Sequence, residues 1–237
     1  MIVGVVNRSS LSALDVKRAV SAVNQQVTRH FRPAWSIQGS VILGTKNADA
    51  VMYLQDEADV DDALGYHDQE NSGKPCGFVF PSVSEAYGEP WSVTLSHEVL
   101  ELLGNPHVYG YALGKHPTEN RDVLYWTELC DAVQADTYAI GGVDVSNFVL
   151  PFYFTRSVEP GIKNDYLGTS LKSLGLNPGG YLGYYDPLSG EDETYFPASD
   201  AKAKKRHAAR QAIKGLRRSN LYQAARARTC VGPQRKR

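Results

Sequence analysis

The segment from Trp91 to Leu103 constrains the fold more than any other part of the chain. Wound at about 100° per residue with His97 at zero, it puts Glu101 near 40°, Thr94 near 60° and Glu98 near 100°. Leu102, Leu95, Val99, Leu103, Leu100 and Val93 then fill the arc from about 140° to about 320°. A surface helix is usually apolar over a narrower stripe than this. The pattern predicts a central helix that is wrapped by core on most of its circumference and aims one polar strip into a cleft. Its ends are marked by Glu89-Pro90, since proline is tolerated in a first helical turn, and by the stop sequence Gly104-Asn105-Pro106.

That strip carries His97, Glu98 and Glu101. Buried carboxylates are costly without a cation or hydrogen-bond donors. His97 and Glu101, at i and i+4, point the same way and can reach one metal ion, and Glu98 sits beside them as a candidate general base. This is the arrangement of the H-E-x-x-H zinc-protease helix with Glu in place of the second His. A third ligand is expected from Glu128-Leu129-Cys130-Asp131, whose two carboxylates share a side. One of Glu128 and Asp131 would ligate and the other would orient His97 from behind, with Glu128 preferred as ligand. Zinc is the expected ion. An oxygen-rich set of Glu101, Glu128 and Asp131 makes calcium the alternative. A histidine paired with glutamate inside one helix is the purely structural explanation of the same letters.

Around this helix the sequence reads as α+β, a mixed sheet packed on the central helix. Residues 2–6 form a short apolar strand. Ser10 or Ser12 then caps a helix with Asp15 in its first turn, and Val16, Val20, Val23, Val27 and Phe31 mark its buried face. Pro33 is expected to end that helix. Alternation from Trp35 to Leu43, the run 50–54 and the run 77–80 are strand candidates, and residues 137–149 a hairpin about Gly141-Gly142. Residues 105–127 read as irregular loop, and 151–199 show no long period. With 42% hydrophobic and 22% charged residues the composition is that of a globular domain. The apolar runs are too short to cross a bilayer, and residues 1–6 lack the features of a signal peptide. Three widely spaced cysteines form neither a disulfide framework nor a C-x-x-C pair, which fits a reducing compartment.

The string Leu95-Ser96-His97-Glu98-Val99-Leu100-Glu101-Leu102-Leu103-Gly104-Asn105-Pro106 resembles a poorly characterised group of bacterial and phage proteins with an S-H-E-V-L-E helix. The segments Glu128–Asp131, Val145–Pro151 and Pro178–Tyr181 are similar to other elements of that group. The resemblance covers roughly residues 1–185, with Asn105 where the pattern often has Asp. It implies a zincin-like fold with His97 and Glu101 as ligands and Glu98 as base, in a metal-dependent peptidase or amide hydrolase acting on peptide or protein. The alternative is a virion or assembly protein that keeps a zincin-like body. Either implies a cytoplasmic or virion-associated protein without membrane contact.

Other residues invite roles. His67 reads as a surface histidine in a polar loop, ahead of a strand at 78–80 that could pair with an extended substrate. His107 and His116 are weaker candidates for a third ligand. Tyr109, Tyr111, Tyr138, Tyr181 and Tyr184 are candidate electrophilic helpers.

Residues 1–199 therefore read as one metal-binding domain and 200–237 as a basic helical tail. The tail carries 13 Lys or Arg against one acid, leaving 12 bases and 25 acids before residue 200. Its partner is expected to be nucleic acid, held through phosphates, or an acidic protein surface. With one aromatic, Tyr222, it is poorly equipped for stacking on single strands. Deleting 200–237 should abolish binding to a DNA duplex, and the full-length affinity should fall steeply with salt whatever the duplex sequence. Weak, salt-independent binding in a filter or anisotropy titration would rule out phosphate contacts.

Overall fold

A computed structural model describes residues 1–57, 64–70, 72–156, 161–197 and 199–200. Apart from Asp200, the basic tail lies outside the described residues. The chain is a mixed α+β structure with two main sheets and a hairpin.

β1 (Ile2–Arg8) lies between β2 (Ser40–Leu43) and β3 (Ala50–Gln55), parallel to both. Beyond β3 come β5 (Pro75–Val79), also parallel, and at the edge β4 (Gly65–Gln69), antiparallel to β5. Val3 and Val5 alternate into the core, and α1 (Ala13–Gln25) lays Val16, Val20 and Val23 against them. Ser12 caps α1, its hydroxyl accepting from the Asp15 amide.

The helix does not stop at Pro33. It widens into a π turn at Gln26–Phe31 and closes with α2 (Arg32–Trp35). In the wider turn the Arg32 amide reaches back to the carbonyl of Val27, five residues earlier. That shift relaxes the clash a proline ring otherwise makes with the preceding turn. Ser36, with φ of 55°, makes the stop. The expected strand from Trp35 therefore shrinks to Ser40–Leu43, and the Trp35 indole donates to the Val149 carbonyl instead.

Phe80 precedes α3 (Pro81–Ala86), which begins with proline in its first turn, and α4 (Trp91–Gly104) follows. Every residue of α4 from Ser92 to Leu103 is buried, as its all-round pattern requires. β4 and β5 cover one side of α4. The hairpin of β8 (Thr137–Ile140) and β9 (Val143–Ser146) covers another, tied by the Ser146 amide donating to Ser96 Oγ at 2.6 Å and by Ser92 Oγ donating to the Asp144 carbonyl at 2.8 Å. Gly141 and Gly142, both with positive φ, form the hairpin turn.

The stretch expected as loop after α4 is instead half of a second, antiparallel sheet. β6 (Tyr111–Lys115) and β7 (Asp122–Trp126) pair with each other, and β7 pairs with β10 (Leu182–Asp186) and through it with β11 (Glu191–Tyr195). Short strands broken by Gly, Pro and charged turns carry little periodic signal, which is why sequence pattern missed them. No helix among the described residues is long and apolar enough to cross a membrane.

One glycine sets the seat of α4. A Cβ on Gly65 would lie 2.8 Å from the Phe78 carbonyl oxygen, 2.8 Å from Thr94 Cγ2 and 3.1 Å from Glu98 Cγ. Gly65→Ala should therefore push α4 off β4 and cost about 1–3 kcal/mol of stability. Denaturant titration reads this as a lower midpoint at constant slope. An unchanged midpoint would show that the contact tolerates a methyl group.

Candidate metal centre

Three stretches of chain meet at the polar strip of α4. β4 alternates so that Gly65 and His67 face the helix while Tyr66 turns to Phe78 and Phe80. Thr94, Glu98 and Glu101 form the side of the strip nearest β4, and His97 and Glu101 the side nearest residues 128–131. Glu101, in the middle of the arc, faces both.

The segment after β7 is held by its backbone. Val149 N–H donates to the Leu129 carbonyl, Tyr181 N–H to that of Asp131 and Asn177 N–H to that of Ala132. Gly180 fits against the Ala132 carbonyl in a space that a Cβ would fill. The Cys130 amide donates to Glu101 Oε1 at 3.1 Å, fixing that carboxylate from outside the helix. The Cys130 thiol donates to the His97 carbonyl at 3.8 Å. Burial and the nearby carboxylates push it well above the ordinary thiol range, so it stays a neutral thiol.

His97 Nε2 lies 3.2 Å from Glu101 Oε1 and 3.2 Å from Asp131 Oδ1. A single imidazole nitrogen carries one hydrogen at most and cannot donate fully to both oxygens. Donors bound tetrahedrally at about 2.0–2.1 Å from a common ion stand roughly 3.3 Å apart, so both distances from His97 Nε2 match ligand spacing, and the three donor atoms lie within 4.8 Å of one another. On the other side His67 Nδ1 lies 3.4 Å from Glu98 Oε2 and 3.7 Å from Glu101 Oε2, with His67 Nε2 3.9 Å from Glu128 Oε2. All six side chains are at most 4% exposed. Four carboxylates and two histidines at that depth need positive charge near them. Two groups, His67 with Glu98 and Glu101, and His97 with Glu101 and Asp131, can each hold a metal ion.

Burial disfavours the charged form of His67, but its hydrogen bond to Glu98 and the fields of Glu128, Glu101 and Glu98 outweigh this and hold its pKa above the ordinary histidine range.

Two sequence-based expectations change. His67 is not a surface residue: it is buried in the cluster, on a strand that pattern did not find. The cue was the turn-forming Asn71-Ser72-Gly73 ahead of the 77–80 run, which signals a hairpin and sets His67 opposite Gly77. The structure also puts Asp131, not Glu128, with His97 and Glu101, and turns Glu128 towards His67. The 78–80 run belongs largely to β5, which is interior and paired on both sides, so on the side of the sheet next to α4 the edge strand is β4.

The remaining candidates lie elsewhere. His107 is exposed and meets Gln69 Nε2 through Nδ1 at 2.9 Å, while His116 receives the Thr118 and Glu119 amides and contacts Tyr184. Tyr109 and Tyr111 are exposed, Tyr138 joins Gln26 and His30, and Tyr184 joins Glu193. Only Tyr181 of that group borders the site, lining a small cleft with Tyr125, Trp126, Tyr153, Phe154, Glu128 and Asp131.

No protein-family model, curated protein or solved structure matches the chain.

Ligand spacing predicts that His97→Ala or Glu101→Ala abolishes stoichiometric metal at the His97, Glu101 and Asp131 group. Asp131→Ala should cost more affinity than Glu128→Ala, since loss of a residue that only orients a ligand costs about 10–100-fold. The opposite order in a metal titration would return Glu128 to the His97 ion.

Proposed function

We propose that this protein is a metal-dependent peptidase or amide hydrolase of zincin-like architecture that works with zinc. The observation that carries this reading is the equal 3.2 Å spacing of His97 Nε2 from Glu101 Oε1 and Asp131 Oδ1, with Glu98 one position along the same buried helix. A sheet whose antiparallel edge strand lies beside that helix supports the zincin-like comparison. An imidazole in the ligand set favours zinc over calcium, which takes oxygen donors.

When bound, a divalent cation supplies polarisation of a carbonyl and acidification of water. His97, Glu101 and Asp131 would hold it, and the Cys130 amide keeps Glu101 oriented. Glu98 is the carboxylate placed to take the proton of an attacking water. His67 Nδ1 meets Glu98 Oε2 at 3.4 Å and holds that carboxylate in place. An extended peptide would lie along the edge of β4, which brings its backbone past His67 and Glu98. The unlike charges of body and tail support a second role as an assembly protein, with the tail on nucleic acid or an acidic partner.

Glu98→Gln should fold, keep the ion at His97, Glu101 and Asp131, and lose hydrolysis of any peptide or amide the wild type cleaves, because an amide cannot accept the proton. Unchanged turnover removes Glu98 from the chemistry, and full turnover of metal-free protein removes the metal.

A further inference from the structure

The two triads share one residue, and they share it through different atoms. Glu101 Oε1 is 3.2 Å from His97 Nε2, and Glu101 Oε2 is 3.7 Å from His67 Nδ1. We propose that the cluster holds two divalent cations side by side, bridged by the Glu101 carboxylate, the first among His97, Glu101 and Asp131 and the second among His67, Glu98 and Glu101. This rests on the metal-binding part of the reading above and adds a second ion to it.

Three observations carry it. The first is shape: a carboxylate that offers one oxygen to each of two ions holds them about 3.5–4 Å apart, the usual spacing of two-metal sites. Glu101 stands at the middle of the helical arc, the one position from which it can reach both histidines. The second is charge. With both histidines neutral, as ligands to metal are, the four carboxylates Glu98, Glu101, Glu128 and Asp131 carry a formal −4 on side chains at most 4% exposed. One divalent ion leaves a net negative charge even with His67 protonated, and two balance the four carboxylates.

The third is His67 itself. Its Nε2 is buried without a hydrogen bond and is 3.9 Å from Glu128 Oε2, while Nδ1 faces the shared carboxylates. An imidazole that ligates through Nδ1 carries its hydrogen on Nε2, aimed at Glu128. That is the carboxylate–histidine–metal arrangement in which the outer carboxylate fixes the tautomer. Glu128 therefore has a defined place: it orients the ligand of the second ion. Glu98 would meet that ion through Oε2 and keep lone pairs on its other oxygen for a proton.

The test uses the full-length chain stripped with chelator, equilibrated with Zn²⁺ and analysed for metal per chain, with Mn²⁺ as a magnetic probe. Wild type should hold two Zn²⁺ per chain and His67→Asn one. Glu128→Gln should weaken the second titration step about 10–100-fold and leave the first unchanged. The Mn²⁺-loaded wild type should give the spectrum of an exchange-coupled pair. One Zn²⁺ per chain in wild type and His67→Asn alike, or only the six-line signal of isolated Mn²⁺, overturns the second ion and leaves the mononuclear reading standing. No Zn²⁺ in wild type overturns both. Should His67→Asn fail to fold by circular dichroism, the Glu128→Gln titration and the Mn²⁺ spectrum decide.

Discussion

Carboxylates in the interior are the constraint on which the rest of this structure turns. Glu98 and Glu101 lie on a helix whose whole length from Ser92 to Leu103 is buried, and each charge moved out of water at such a site costs several kcal/mol after relaxation. No amount of leucine around the helix offsets that. The compensation has to come from outside α4, and it comes from both sides: His67 from β4 and the Cys130 amide from the turn after β7. Asp131 and Glu128 arrive with that turn and add charge, which makes no sense as stabilisation by histidines alone. Two imidazoles, even fully protonated, leave a deficit against four carboxylates. A cation is the simplest group that makes the arrangement favourable.

That requirement explains how the two sheets are joined. α4 belongs to the first sheet through β4 and β5, and the 128–131 turn belongs to the second through β7. The site is where the two bodies touch. β9 locks the junction with the bond from the Ser146 amide to Ser96 Oγ, and residues 149, 177 and 181 pin the turn by backbone bonds that are independent of any side-chain charge. The turn that carries Glu128 and Asp131 is therefore positioned by main-chain bonds, and the side chains that could hold an ion reach inward over short distances.

How much of this was legible in the sequence follows from the range of each signal. The α4 helix and its polar arc were readable because 3.6-residue periodicity is local and strong, and the arc already put Glu101 between His97 and Glu98. Ser12 as cap and the Gly141-Gly142 turn were readable for the same reason. His67 was not, because its role depends on β4 lying antiparallel at the edge next to α4, a fact of topology. Glu128 and Asp131 were found together, with Glu128 preferred beside His97, whereas the structure sets Asp131 there and Glu128 by His67. Three-residue spacing puts both on one side of a turn, but only the fold says which histidine each one meets. The helix past Pro33 was missed because a π turn leaves no periodic trace that a proline rule would respect.

The same geometry bears on what an ion would do here. In small zinc domains the metal is the core, and folding waits for it. This chain has a core of its own: Val3, Val5, Val23, Val27, Phe31, Leu95, Leu100 and Phe148 are all at most 1% exposed, and the turn is fixed without the ion. Binding energy is then not needed to order the chain. It is available to offset the cost of the clustered carboxylates, which the folded protein carries whether or not the ion is present. A cluster under that kind of charge stress favours a cation of high charge density. The electrostatic stress that makes α4 a costly helix to bury is what would make the site bind metal tightly, and it is concentrated on Glu101, the one residue that both triads share.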